Sequence, residues 1–372
     1  MNQQALLQPY TMGELHLPNR VVMAPMTRSR ANNPEKKPTK DKHVIYYQQR
    51  ASAGLIITEG SQVSEKAVGY IHTPGIHTEA QIDGWKQVTQ AVHKANGRIF
   101  IQLWHVGRMS HPDFHNGALP HAPSAINPNA KSFTPEGFKD TVTPKAMTET
   151  DIQQTIKDFA NAAVNAMKAG FDGVELHSSN GYLFHQFFNA TSNTRTDRYG
   201  GSIENRARFL FDVLDAVKKV MPENRIGLRL NPSAHNIFGV TVDKETIPTF
   251  DYIIEKLNAY DLAYLHLSEP FNDVSHVPYA ETEIAKRYRP IYKGTLMINT
   301  NFDQEKGNAV LEQGDADLVA YGKPYVSNPD LVARFKHHIP LSDWDKDTFY
   351  TQGKEGYIDY EPKAKTVCVT EK

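Results

Sequence analysis

The chain is poor in the features that mark several protein classes. It has one cysteine, Cys368, in 372 residues. A single thiol excludes an intramolecular disulfide, a cysteine zinc cluster and a cysteine-ligated iron–sulfur cluster. An excess of either charge is also missing: 41 Lys and Arg balance 42 Asp and Glu, for a net charge of -1. That balance provides no overall field toward nucleic acid or an anionic membrane, though it leaves room for a local basic pocket. No run approaches the roughly 20 apolar residues of a membrane span. Met1–Tyr10 lacks a basic segment followed by an apolar one, so no signal peptide is expected. The histidines show no HExxH spacing, and His111 and His115 lie in a loop-like stretch, so no metal site is expected. GxSxG and Walker motifs are absent. No low-complexity region or linker divides the sequence. The expectation is a single cytoplasmic domain over residues 1–372.

What is present is an alternation of short apolar runs and helical periods. The predicted strands, each built on a short apolar run, are Arg20–Met26, Leu55–Thr58, Arg98–Leu103, Val174–Leu176, Arg225–Leu230, Leu262–Leu267, Gly294–Asn299 and Asp317–Tyr321. Between them, Ile82, Trp85, Val88 and Val92 recur at helical spacing, as do Ile152, Ile156, Phe159 and Ala163. Thr78 and Gln81 have capping-box spacing, Thr148 opens another helix, and Asn328-Pro329 reads as a further helix start. Eight strand–helix units with parallel strands predict a closed (β/α)8 TIM barrel. The stretch from Trp104 to Met147 carries six prolines and reads as a long excursion after strand 3.

Barrel chemistry sits at the C-terminal ends of the strands. That places Thr27, Gly60, Gln102, His177, Arg229 and Lys323 around one rim. Thr300-Asn301 and Gly322-Lys323 follow strands seven and eight, where barrels often bind phosphate; an ordinary turn with a solvated lysine is the alternative. His177 and Asn180 are two donors able to converge on one oxygen, and Tyr182 follows with a transferable proton. A hydrogen-bonded core histidine beside a turn asparagine would give the same spacing. Gln102 and Arg229 are polar groups in buried strands and need partners. Acceptors on a flavin ring edge would serve Arg229, as would an ion pair with Glu175 or Glu59.

Taken together, these words resemble the Old Yellow Enzyme family of FMN-dependent ene-reductases. The resemblance runs from Asn19–Arg30 to Gly356–Tyr360 and is densest in Glu175–Phe187 and Asn193–Arg206, with Gln102–Arg108 also matching. It implies that NADPH or NADH reduces FMN, which passes hydride to the β-carbon of an activated alkene while Tyr182 protonates the α-carbon. It assigns His177 and Asn180 to the substrate oxygen. Thr27 would contact flavin O4, setting the chain apart from the branch with cysteine there. Pro25, Met26 and Gly60 would line the ring, Gln102 and Arg229 its pyrimidine edge, and Asn301, Gly322 and Lys323 the phosphate. Tyr70, Trp104, Phe271 and Tyr350 would line the substrate side. Two departures stand out: relatives commonly carry Arg at the place of Lys323, and a glycine-rich turn at Asn299-Thr300-Asn301. FMN binding is therefore expected, with reduced affinity. Small activated alkenes are the expected partners, and the protein is expected to work as a monomer or homodimer. A flavin-free phosphosugar aldolase or isomerase and a non-enzymatic FMN-binding redox sensor remain as alternatives.

Overall fold

A computed structural model describes residues 4–32 and 35–363; Cys368 lies outside them. Eight strands close a parallel barrel in chain order. They are β1 (Val21–Met23), β2 (Leu55–Gln62), β3 (Ile99–Trp104), β4 (Gly173–His177), β5 (Ile226–Leu230), β6 (Tyr264–Ser268), β7 (Leu296–Asn299) and β8 (Leu318–Tyr321). Around them lie α1 (Ile45–Gln49), α2 (Glu79–Lys94), α3 (Glu149–Lys168), α4 (Leu183–Phe188), α5 (Ile203–Val217), α6 (Thr246–Leu257), α7 (Ile284–Tyr288), α8 (Gln304–Glu312), α9 (Lys323–Ser327) and α10 (Leu331–His337). The predicted fold class is the one observed.

Side-chain alternation divides the core. One strand face packs outward: Ile56, Ile101, Leu176 and Leu228 meet Trp85, Phe159, Leu210 and Ile254 of the helices. Burying each such side chain contributes roughly 1.5–3 kcal/mol. The other face fills the barrel with Val22, Leu55, Ile57, Phe100, Tyr264, Met297 and Leu318. Gly173 and Gly227 make this filling possible. A Cβ on Gly173 would fall 2.4 Å from the Phe100 ring, and one on Gly227 would fall 2.3 Å from the Tyr264 ring. A hairpin, Tyr10–Met12 with Leu15–Leu17, adds Met12 and Leu17 to this inner cluster. The lower barrel is thus apolar, and polar side chains begin in mid-strand with Glu175 and His266 and continue to the strand ends.

Both capping expectations hold. Thr78 accepts from Gln81 N, and Thr148 from Asp151 N, each in a reciprocal capping box. The excursion after β3 contains a hairpin, Lys131–Thr134 with Gly137–Asp140. The predicted helix start at Asn328-Pro329 is corrected. Asn328 ends α9, with its amide donating to Pro324 O at 2.8 Å, and α10 begins at Leu331 behind Asp330.

Three buried histidines make the fold acid-sensitive. His43, His105 and His185 each use Nδ1 to accept a backbone N–H, from Thr39, Gly107 and Gly181. A protonated ring has no such acceptor, and burial pulls all three pKa values down to about 3. Folded values below the unfolded 6.5 mean stability that is intact above pH 6.5 and lost as pH falls toward 3. At pH 5.5 the three together cost about 4 kcal/mol. Glu59 works the other way: burial raises its pKa to about 7, so protonation in the same interval returns about 2 kcal/mol. Thermal melts should show a clearly lower Tm at pH 5.5 than at pH 7.5. An unchanged Tm would contradict the neutral buried state of these rings.

Candidate active site

The strand ends bring the expected residues to one trough. Its inner part is a cavity of about 360 Å³ lined by Pro25, Thr27, Gly60, Gln102, Trp104, His177, Asn180, Tyr182 and Arg229, with Ile237, Phe238, Phe271 and Tyr350 at its mouth. A second space of about 730 Å³ shares Pro25, Thr27, Arg229, Phe271 and Tyr350 and extends to Met26, Asn301, Gly322 and Lys323. Tyr70 is the exception among the expected residues. It stands behind Trp104, with ring centroids 5.3 Å apart, and does not border the cavity.

Local backbone explains how each group arrives. On β3, Gln102 and Trp104 are two residues apart and share a face. A Cβ on Gly60 would lie 2.7 Å from the indole, so glycine lets Trp104 lie against β2. β4 ends at His177, and the chain then turns through Asn180 at φ +56° and Gly181 at φ +77°. Asparagine tolerates this left-handed conformation better than other side-chain-bearing residues. Tyr182 stands at the N-terminus of α4.

The donors are fixed by their neighbours. His177 Nδ1 lies 3.2 Å from Ser179 Oγ. Burial, with Arg229 next, holds the His177 pKa well below its usual range, so the ring is neutral. Ser179 Oγ is able to donate to Nδ1, and in that tautomer Nε2 carries the hydrogen. Asn180 Oδ1 accepts from Asn231 Nδ2 at 2.9 Å, which leaves the Asn180 amide nitrogen as a donor. The Tyr182 hydroxyl lies 3.1 Å from that of Tyr70. Burial pushes the Tyr182 pKa well above 10 and that of Tyr70 up to about 12. Trp104 meets the Tyr182 ring edge-on at 5.0 Å.

Deeper in, Gln102 Nε2 donates to Glu175 Oε1 at 2.7 Å, and Glu175 Oε2 pairs with His266 Nδ1 at 2.8 Å. Arg229 forms no ion pair among the described residues. Its Nη2 donates to Ser268 Oγ at 3.4 Å, and to Asn299 Oδ1 at 2.9 Å with the Asn299 amide turned to satisfy both its ends. Arg229 Nε is buried without a partner. Glu59 is not near Arg229; it accepts from Tyr47 and faces His43.

At the outer end, Thr300 and Asn301 both take positive φ, +84° and +59°. These are conformations that glycine adopts without strain, and Thr300 is costly there because it is β-branched. Lys323 is exposed and forms no ion pair among the described residues; its ammonium lies 5.9 Å from the Trp344 ring centroid. The C-terminal segment crosses the trough and brings Tyr350. Arg28 and Arg30 hold it through the carbonyls of Thr348, Phe349, Gly353, Glu355 and Gly356.

Residues 5–342 match the NADH:flavin oxidoreductase / NADH oxidase family. The chain belongs to this family. Rice (Oryza sativa subsp. japonica) 12-oxophytodienoate reductase 1 is 40% identical, over 95% of this chain and 92% of its own. The structure of morphinone reductase in complex with tetrahydroNAD superposes with a TM-score of 0.90 at 43% identity, covering 96% of this chain and 98% of that one. The old yellow enzyme homologue from Zymomonas mobilis gives the same TM-score at 38% identity, covering 96% and 99%. As a flavin oxidoreductase of this family, the protein uses FMN with a nicotinamide reductant.

The trough suits such a cofactor. Its inner end offers a buried guanidinium with an unpartnered N–H, and its outer end offers a lysine without a carboxylate partner. An acceptor-rich ring edge and a phosphate are complementary to those two ends. Several residues around the flavin oxidoreductase site were not singled out from sequence: Asn231, His266, Ser268, Ile237 and Phe238. Asn231 and Ser268 had a signal: each is a polar residue at or next to a strand end, in step with the inward face that carries Arg229 and His177.

Proposed function

We propose that the protein is an ene-reductase for activated alkenes: α,β-unsaturated aldehydes, ketones, imides and nitroalkenes. The observation that carries this reading is the meeting of two donors, His177 and Asn180, with a protonated tyrosine, Tyr182, in one buried cavity. Bound FMN supplies the two-electron chemistry, accepting hydride from NADH or NADPH and giving it to the alkene. Pro25, Met26, Thr27, Gly60, Gln102 and Arg229 would hold its ring, and Asn301, Gly322 and Lys323 its phosphate. His177 and Asn180 donate to the substrate's carbonyl or nitro oxygen, where negative charge develops. Tyr182 donates its proton to the carbon beside that group. Trp104, Phe271 and Tyr350 enclose the substrate, with Tyr70 supporting Trp104 and Tyr182. The same proposal treats residues 1–372 as one domain working in the cytoplasm as a monomer or homodimer.

The test is direct. Purified protein should be yellow, and activated alkenes should accelerate its NADPH or NADH oxidation. Protein that stays colourless with added FMN would overturn the reading, and oxidation indifferent to every alkene would favour a redox sensor. The phosphate end makes its own prediction. Lysine supplies a point charge without the bidentate fork of arginine. Lys323→Ala should weaken FMN binding several-fold to about tenfold, and Lys323→Arg should strengthen it. FMN retained after dilution and gel filtration measures both, and equal retention in all three proteins would remove Lys323 from the phosphate site.

A further inference from the structure

A buried carboxylate lies beneath the inner end of the trough, and the chemistry proposed above does not use it. Glu175 is fully buried inside the barrel, two residues before His177 on the same strand face. Both its oxygens are engaged, one by Gln102 and one by His266. Gln102 Nε2 donates to Oε1, and Nδ1 of a neutral His266 can donate to Oε2, the arrangement that holds a carboxylate. His266 does not cancel the charge, because burial keeps its pKa below the ordinary histidine value. Arg229 is on the neighbouring strand, within the field of Glu175 but not in contact with it. Gln102 and Arg229 both border the cavity.

We propose that Glu175 is a positioning residue that sets the potential of the bound flavin. It acts through two neighbours. It draws the Gln102 amide nitrogen downward, which turns the amide oxygen toward the cavity. Its charge opposes that of Arg229. Two-electron reduction leaves more negative charge on the flavin, so a nearby cation raises the potential and a nearby anion lowers it. Both groups are buried, where charges are screened less than at the surface. Glu175 thereby keeps the cofactor a stronger hydride donor than Arg229 alone would leave it. The inference rests on the reading that FMN lies with its ring edge at Gln102 and Arg229.

The test is the midpoint potential of protein-bound FMN, measured by equilibration with a reference dye. Glu175→Gln removes the charge and keeps the shape, and the neutral His266 can change tautomer to match. The potential should rise by the equivalent of tenfold or more in the two-electron equilibrium, about 30 mV. Glu175→Asp keeps the charge and should stay near the wild-type value. A potential that falls or does not move in Glu175→Gln overturns the proposal, as does an equal rise in both variants. Should Glu175→Gln not fold, the pair Glu175→Met with His266→Leu removes the carboxylate together with its histidine partner, leaving the Gln102 amide as the one group that loses a bond; the same rise is expected. Wild-type protein that binds no FMN overturns the site reading itself, and this inference with it.

Discussion

Tyr182→Phe is expected to slow the alkene half-reaction by about 10²–10⁴, the usual worth of a positioned general acid. Flavin reduction by NADH or NADPH should change by no more than about twofold, because no proton passes through this hydroxyl in that step. The substitution is a clean one. The ring is held edge-on by Trp104 and packed against Phe238 at 5.6 Å, and both contacts survive in phenylalanine. What is lost is one hydroxyl and its 3.1 Å hydrogen bond to Tyr70, worth about 1 kcal/mol of stability. Burial keeps the Tyr182 pKa far above neutrality, so the wild-type rate of this step should be flat with pH from 6 to 8. Stopped-flow measurement of the two half-reactions separates the cases. Equal losses in both would show that Tyr182 shapes the site and does not donate the proton.

The barrel was legible because buried parallel strands are short apolar runs, and the helices between them carry one apolar stripe each. Leu55–Thr58 and Ile99–Leu103 could hardly be anything else. The limits have physical causes. β2 runs on to Gln62 through a register shift between Ile57 and Gly60, and no residue pattern announces a bulge. α4 escaped notice because all six of its residues, Leu183–Phe188, are buried, which removes the periodicity that marks an amphipathic helix. At Asn328-Pro329 the capping signal was real but belonged to the other side. The asparagine closes α9, where a helix start had been expected. The site divides the same way. His177, Asn180 and Tyr182 stand out as polar residues following an apolar strand, and the family resemblance names their roles. Glu175 and His266 sit within apolar runs, and the sequence offered Glu175 only as an ion-pair partner for Arg229, not as the partner of His266. Their pairing is a property of barrel closure, since β4 and β6 meet only across the interior.

Asn180→Ala should cost about 10²–10³ in the alkene half-reaction, the typical loss on removing one donor from a developing oxyanion. The local geometry says why the donor is ready before substrate arrives. Asn231 donates to the Asn180 oxygen at 2.9 Å, so the amide cannot turn that oxygen toward the substrate without breaking a buried hydrogen bond. Asn231 is itself fully buried, and its loss would leave Asn180 free to present either end. Asn231→Ala should therefore lower the same half-reaction by a smaller factor, about tenfold, without touching the substrate. Asn180→Asp should be at least as damaging as alanine, because it places an acceptor and a charge where a donor is needed. Alanine at position 180 also gives up the left-handed φ of +56°, which costs about 1 kcal/mol of stability. A thermal melt measures that loss separately from the rate. If Asn180→Ala leaves the alkene step within about threefold of wild type, Asn180 is no oxyanion donor. His177, whose buried ring is neutral, would then carry the substrate oxygen alone.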